Sequence, residues 1–157
     1  MSHYPALGSP APDFTASVSG ETYNIGDTVH LADLRGRCVV LYFYPKDDTP
    51  GCTKQACALR NGWSQISKKA TVFGVSIDSA KKHEKFIKKY SLPFALIADE
   101  DKAIVNAYGV WVEKTLYGRQ YMGTERTTFI IAPDGTIKAV LPKVKPDEHL
   151  EQVLALL

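Results

Sequence analysis

The sequence predicts an α/β fold, with a mixed central sheet flanked by helices and an N-terminal β-hairpin ahead of it. Three observations predict it. Residues 38–44 (CVVLYFY) and 71–77 (TVFGVSI) are near-continuous apolar runs rich in β-branched and aromatic side chains, which is how strands buried on both faces read. A stretch with helical apolar spacing follows each run, and helical crossovers make successive strands parallel. Near the C-terminus, Pro133-Asp134-Gly135 separates two further strand-like runs, a hairpin signal that adds antiparallel strands.

Taken in order, residues 1–12 hold three prolines and no periodicity, and are expected to form an extended arm on the surface. Phe14, Ala16 and Val18 alternate with polar residues up to Gly20, and Val29 and Leu31 alternate again after Gly26-Asp27. These make the expected hairpin. Residues 31–36 read as a single turn leading into the first core strand. A helix is expected over 50–68, with Ala56, Leu59, Trp63 and Ile66 on its apolar stripe. Gly62 weakens it by about 1 kcal/mol relative to Ala. After the strand at 71–77, Asp78 or Ser79 caps a lysine-rich helix running to Tyr90. Phe86, Ile87 and Tyr90 share this stretch at helical spacing. Lys81, Lys82, Lys85, Lys88 and Lys89 are therefore read as its solvated face. A short strand at 94–98 and a helix from the Asp99 cap through Ala107, ended by Gly109, come next. Residues 111–124 carry Trp111, Tyr117, Tyr121 and Met122 without a clean period and are read as a long loop, the kind that often carries function. Strands at 127–132 and 136–141 form the second hairpin. Pro146 opens a last helix with Leu150, Val153, Leu154 and Leu157 inside.

The 157 residues suit one domain spanning 1–157 with a sizeable core. A net charge of +2 is too small to argue for nucleic acid or a membrane surface. The first residues lack a basic segment followed by an apolar one, so no signal peptide is expected. No apolar stretch approaches the ~18 residues of a membrane span. Three cysteines argue against a secreted disulfide framework, so a cytoplasmic setting is expected. No Cys/His spacing suggests zinc, and no metal or cofactor is expected. Asp47 and Asp48 are read as a solvated turn.

The chemistry concentrates in residues 44–57, YPKDDTPGCTKQAC. The apolar run stops at Pro45, and Thr49-Pro50 reads as a helix start, with Thr as N-cap and Pro at the first helical position. Cys52 then falls in the first turn, where unpaired N–H groups and the helix dipole favour negative charge and bias a thiol toward its reactive thiolate. Cys57 follows five residues later. In a continuous helix that separation puts the two Cα atoms roughly 8–9 Å apart. A disulfide needs them within about 7 Å, so the pair can bond only if the first turns unwind. A thiolate that attacks a weak O–O bond becomes a sulfenic acid, which condenses with a second thiol. Such a reaction needs donors for the departing oxygen, and an arginine can supply them. Arg35, Arg37, Arg60, Arg119 and Arg126 are candidates, and spacing does not choose among them. Cys38, inside a strand, reads as structural. The lesser alternative for Cys57 is that it faces the core of its helix, in which case another thiol would resolve Cys52. None of the four histidines is close to the motif in sequence, so a Cys–His protease arrangement would need tertiary contact.

Pro45, Thr49 and Cys52, spaced PxxxTxxC, resemble the active-site signature of the peroxiredoxins. The stretch TPGCTKQAC and residues 117–135 resemble the bacterioferritin comigratory protein, or peroxiredoxin Q, subgroup. The resemblance covers roughly residue 12 to the C-terminus. It implies a thioredoxin-like fold and thiol-dependent reduction of hydrogen peroxide and small alkyl hydroperoxides. By position Cys52 resembles the peroxidatic cysteine and Cys57 the resolving one. The resemblance also implies that Thr49 orients peroxide and thiolate, Pro45 shields the site, and Arg126 is the active-site arginine. Thioredoxin as reductant and a monomeric state are implied too. The family often has Glu where Gln55 stands and Phe-Arg-Asp where Leu59-Arg60-Asn61 stands, which bears on how easily the helix unwinds. Arg60 is kept and is expected to add to the charge field around Cys52. Two other functions fit a reactive thiol. A thioredoxin-type disulfide oxidoreductase would want the CxxC that is absent here. A peroxide-responsive sensor or holdase would use the same switch without efficient turnover.

Overall fold

The computed structural model describes residues 3–157, so Met1 and Ser2 of the expected arm lie outside the described residues. The strand that leads to the reactive segment is β3 (Cys38–Phe43). It pairs in parallel with β4 (Ala70–Ser76), which pairs in parallel with β5 (Ala95–Ala98). On its other side β3 meets β8 (Thr127–Ile131) antiparallel, and β8 meets β9 (Ile137–Leu141) antiparallel. The N-terminal hairpin is present as β1 (Thr15–Gly20) and β2 (Tyr23–His30), with β1 docked antiparallel on β5. The result is a seven-stranded mixed sheet in the order β2-β1-β5-β4-β3-β8-β9.

Successive side chains of β3 point to opposite faces and build two cores. Val39, Leu41 and Phe43 join Phe73, Val75, Tyr108 and Phe129 on one face. Val40 and Tyr42 join Tyr44, Cys52, Leu59, Phe94 and Val153 on the other, beneath the helices. Cys38, at the strand's first position, is half-buried. The lysines of α3 (Ala80–Tyr90) are exposed as expected, while Phe86 is buried. Its cap is Ser79, whose hydroxyl accepts from Lys82 N at 3.2 Å.

The structure corrects four boundaries. The helix expected over 50–68 is α1 (Pro50–Asn61) followed by a short α2 (Trp63–Ile66). Gly62 separates them because a Cβ there would lie 2.7 Å from both methyls of Leu150, so the last helix packs where a side chain would stand. That last helix, α5 (His149–Leu156), starts at His149, three residues beyond Pro146. The helix after β5, α4 (Ala103–Ala107), also begins later than expected: its N-cap is Lys102 and not Asp99, although Asp99 still receives N–H groups of its first turn. The Asp99 carboxylate accepts from Ile104 N at 3.1 Å and Val105 N at 2.8 Å.

The fourth correction is the expected loop at 111–124, which is a second hairpin, β6 (Trp111–Leu116) and β7 (Arg119–Thr124). Tyr117 (φ 51°) and Gly118 (φ 77°) both lie in the left-handed region, the requirement of a two-residue type I′ turn. Its strands are largely exposed on both faces, so no alternation of burial marks them in sequence. Leu116, Tyr117, Tyr121 and Met122 stand in solvent.

Candidate active site

The end of β3 and the start of α1 place the reactive segment beyond the carboxyl edge of a parallel strand inside the sheet. This is where open α/β sheets hold their sites. Pro45 is half-buried in the turn between them. Thr49 occupies the N-cap position with extended backbone, and Pro50 is the first helical residue. The Thr49 hydroxyl does not cap the helix in the described structure. It donates instead to Lys46 O at 2.8 Å, closing the turn.

Cys52 is the third residue of α1 and is 2% exposed. The side chain that meets its sulfur is Arg126, whose Nη1 lies 3.4 Å from Cys52 Sγ. Arg126 stands just before β8, on the far side of β3 from the helix crossover. Gly51 makes room for it, because a Cβ there would fall 3.1 Å from Arg126 Nη2. The other expected arginine does not reach the sulfur. Arg60, two turns further along α1, donates to Tyr90 O at 2.7 Å and so does not join the site. Cys57 is half-buried on α1, and all three cysteines are free thiols.

Gln55, read from the sequence only for its bearing on helix unwinding, and His149, given no role there, complete the polar surroundings. Gln55 and His149 are fully buried. Gln55 Oε1 accepts from Arg126 Nη1 at 2.7 Å, and Gln55 Nε2 is 3.0 Å from His149 Nδ1. His149 Nε2 in turn is 2.7 Å from Thr128 Oγ1. Burial, reinforced by the Arg126 charge, pushes the His149 imidazolium down to about 3, so the ring is neutral. No short-range pattern could have found this contact, since Gln55 and His149 are 94 residues apart in the chain.

Beside Arg126 opens a cavity of about 630 Å³ whose lining includes Tyr4, Lys114, Glu125 and Lys143. Burial and the nearby Arg126 charge both hold the Lys114 ammonium below the ordinary lysine value. Lys114, midway along β6, thus brings a second cationic side chain near Arg126.

The expected solvated turn is half right. Asp48 is exposed and pairs with Lys89 at 2.8 Å. Asp47 is buried: it accepts from the Tyr44 hydroxyl at 2.5 Å and lies 2.6 Å from His83 Nδ1. His83 Nε2 faces Ile97 O at 2.9 Å, so this bridge ties the reactive turn to α3 and β5.

With this geometry in view, comparisons with known proteins agree. Residues 7–140 match the family model described as the AhpC/TSA family. The chain is similar to a Coxiella burnetii protein provisionally named peroxiredoxin bcp, with 50% identity covering 94% of this chain and 95% of that protein. It is 42% identical to peroxiredoxin Bcp of Bacillus subtilis, covering 94% of this chain and 92% of that one. Among solved structures it resembles the Xanthomonas campestris bacterioferritin comigratory protein, with a TM-score of 0.82 and 38% identity over 90% of this chain and 88% of that one. The thioredoxin-like peroxiredoxin architecture expected from the motif is the one found.

Proposed function

The chain belongs to the AhpC/TSA family and is a peroxiredoxin, a thiol peroxidase; on that premise we propose that Cys52 is the thiol that attacks peroxide and Cys57 the thiol that resolves it. The observation that carries the assignment of Cys52 is the guanidinium 3.4 Å from its sulfur at the start of α1.

The Cys52 thiolate attacks the distal oxygen of the hydroperoxide. The O–O bond breaks, an S–O bond forms, and the departing oxygen leaves as alkoxide or hydroxide and takes up a proton. Arg126 stabilises the thiolate first and the departing oxygen afterwards, because its N–H groups already point into the site. Thr49 has donated its own proton to Lys46 O, so its oxygen is available to accept from the peroxide O–H. Pro45 screens the turn from water. Cys57 thiolate then attacks the Cys52 sulfenic acid, the S–S bond forms, the S–O bond breaks, and the departing hydroxide takes up a proton from solvent to leave as water. Both cysteines lie within α1, so this step requires its first turns to unwind. Thioredoxin reduces the disulfide and restores two thiols. Hydrogen peroxide and small alkyl hydroperoxides are the proposed substrates. A structure of the Xanthomonas campestris relative is described in terms of its alkyl peroxide reduction activity. A cytoplasmic monomer is the proposed working form.

The test is peptide mapping without reduction, after one equivalent of hydrogen peroxide and blocking of free thiols. The expected product is a Cys52–Cys57 linkage with Cys38 alkylated. Sulfenic or sulfinic acid at Cys52 with Cys57 free would remove Cys57 from the route. Full turnover in Cys52→Ser would overturn the assignment altogether.

A further inference from the structure

We propose that His149 is a positioning residue for the reaction: its buried imidazole fixes which way the Gln55 amide faces, and the amide in turn holds the Arg126 guanidinium against Cys52. The proposal rests on Cys52 being the reacting thiol.

Which groups can donate fixes the orientation of each side chain. A guanidinium has only N–H groups to offer, so the Gln55 atom 2.7 Å from Arg126 Nη1 must be its carbonyl oxygen. The Gln55 NH₂ therefore faces His149 Nδ1, which must accept and carries no proton. The ring proton is then on Nε2 and is donated to Thr128 Oγ1 at 2.7 Å. A proton on Nδ1 would set two donors against each other. Gln55 would escape by turning over, and its NH₂ would then face Arg126, again donor against donor. The protonation pattern of one ring thus determines whether the guanidinium has an acceptor behind it.

The chain of bonds closes on itself. Arg126 and Thr128 are two apart on the same stretch of β8 and its lead-in, so they share a face, and Gln55 and His149 bridge between them from α1 and α5. Gln55 and His149 are fully buried, so water does not substitute for a missing partner. The ordinary rotational freedom of a long arginine side chain is removed by an anchor more than one residue deep. Burial and the charge of Arg126 keep the imidazole neutral, as the pattern requires. The ring of Tyr42, 5.6 Å away between centroids, backs it from β3.

Three readouts test this on the full-length protein. Long-range ¹H–¹⁵N spectra at neutral pH should show His149 as the Nε2–H tautomer; an Nδ1–H tautomer or a doubly protonated ring would overturn the proposal. His149→Phe should lower the second-order rate with hydrogen peroxide roughly ten- to a hundredfold, as small displacements of catalytic groups do. It should also slow iodoacetamide alkylation of Cys52 at neutral pH. His149→Asn, whose side-chain oxygen can accept in place of Nδ1, should recover most of both rates and serves if the Phe variant does not fold. A folded Phe variant with wild-type rates, or an Asn variant as impaired as the Phe variant, would overturn it. Because His149 acts through Gln55, adding His149→Phe to Gln55→Leu should cost no further rate; an additive loss would mean an independent role. The tautomer and the alkylation rate are read without peroxide. A wild-type protein inert to peroxide would therefore overturn the proposed function while leaving these two measurements to decide the role of His149.

Discussion

Arg126 carries the largest expected effect of any single side chain other than Cys52. Its Nη1 is shared between Cys52 Sγ and Gln55 Oε1, so it is both aimed and anchored. Arg126→Met should reduce the rate constant with hydrogen peroxide by about a hundred- to a thousandfold, the usual cost of one preorganised donor to a departing oxygen. Stopped-flow kinetics measures this, and a loss below threefold would show that the guanidinium does not serve the reaction. Much of this site was legible in the sequence. Thr49, Pro50 and Cys52 are local, and helix-start chemistry pointed to them. Arg126 needed the family resemblance, because five arginines looked alike by spacing. Gln55 and His149 were not legible, nor was the burial of Asp47. Each owes its role to a partner on another element, as Asp47 does to His83 on α3, and the sequence alone does not say which polar residue will be buried.

At the scale of elements, the break at Gly62 and the hairpin β6–β7 differ in why they were hard to see. Gly62 was visible as a weak point in a helix, but its reason is the Leu150 side chain that fills the space above it. Gly62→Ala would improve helix propensity in isolation. In the fold it drives a methyl into Leu150, and overpacking wins, so the variant should lose about 1–3 kcal/mol in urea denaturation. A neutral or stabilised variant would mean that α5 moves aside easily. The hairpin was hidden for another reason. Strand patterns are readable when one face is buried and the other is not, and this ribbon is wet on both sides along most of its length. Its turn was disguised as well, since tyrosine stands where asparagine or aspartate usually marks a type I′ turn. The buried strands and the N-terminal hairpin, by contrast, followed directly from apolar runs and alternation.

For the whole molecule, His149 makes stability depend on acidity. In the fold its imidazolium is pushed down to about 3, from an ordinary value of 6.5, so the folded protein keeps the ring neutral where the unfolded chain takes up a proton. That stability is complete above about pH 6.5 and is lost as pH falls from there toward about 3. One proton corresponds to a slope of about 1.4 kcal/mol per pH unit. Urea denaturation should show stability level off above about pH 6.5 and fall with nearly this slope between about pH 5.5 and pH 4, and His149→Phe should flatten it; equal slopes in the two proteins would assign the acid sensitivity elsewhere. The single continuous helix that holds both Cys52 and Cys57 has a different consequence, for timing. On the proposed route, closing the disulfide is a first-order event whose rate is set by the protein alone. A second peroxide attacking the sulfenic acid is bimolecular and speeds up with dose. The helix is therefore a clock against which peroxide concentration is compared. Below one concentration nearly every turnover ends in a recoverable disulfide, and above it a rising share ends in sulfinic acid, which thiols do not reduce. Mass spectrometry of Cys52 across a peroxide series, with reductant in excess, should show the sulfinic fraction per turnover growing in proportion to dose. A fraction independent of dose would mean that sulfinic acid does not arise from peroxide competing with disulfide closure.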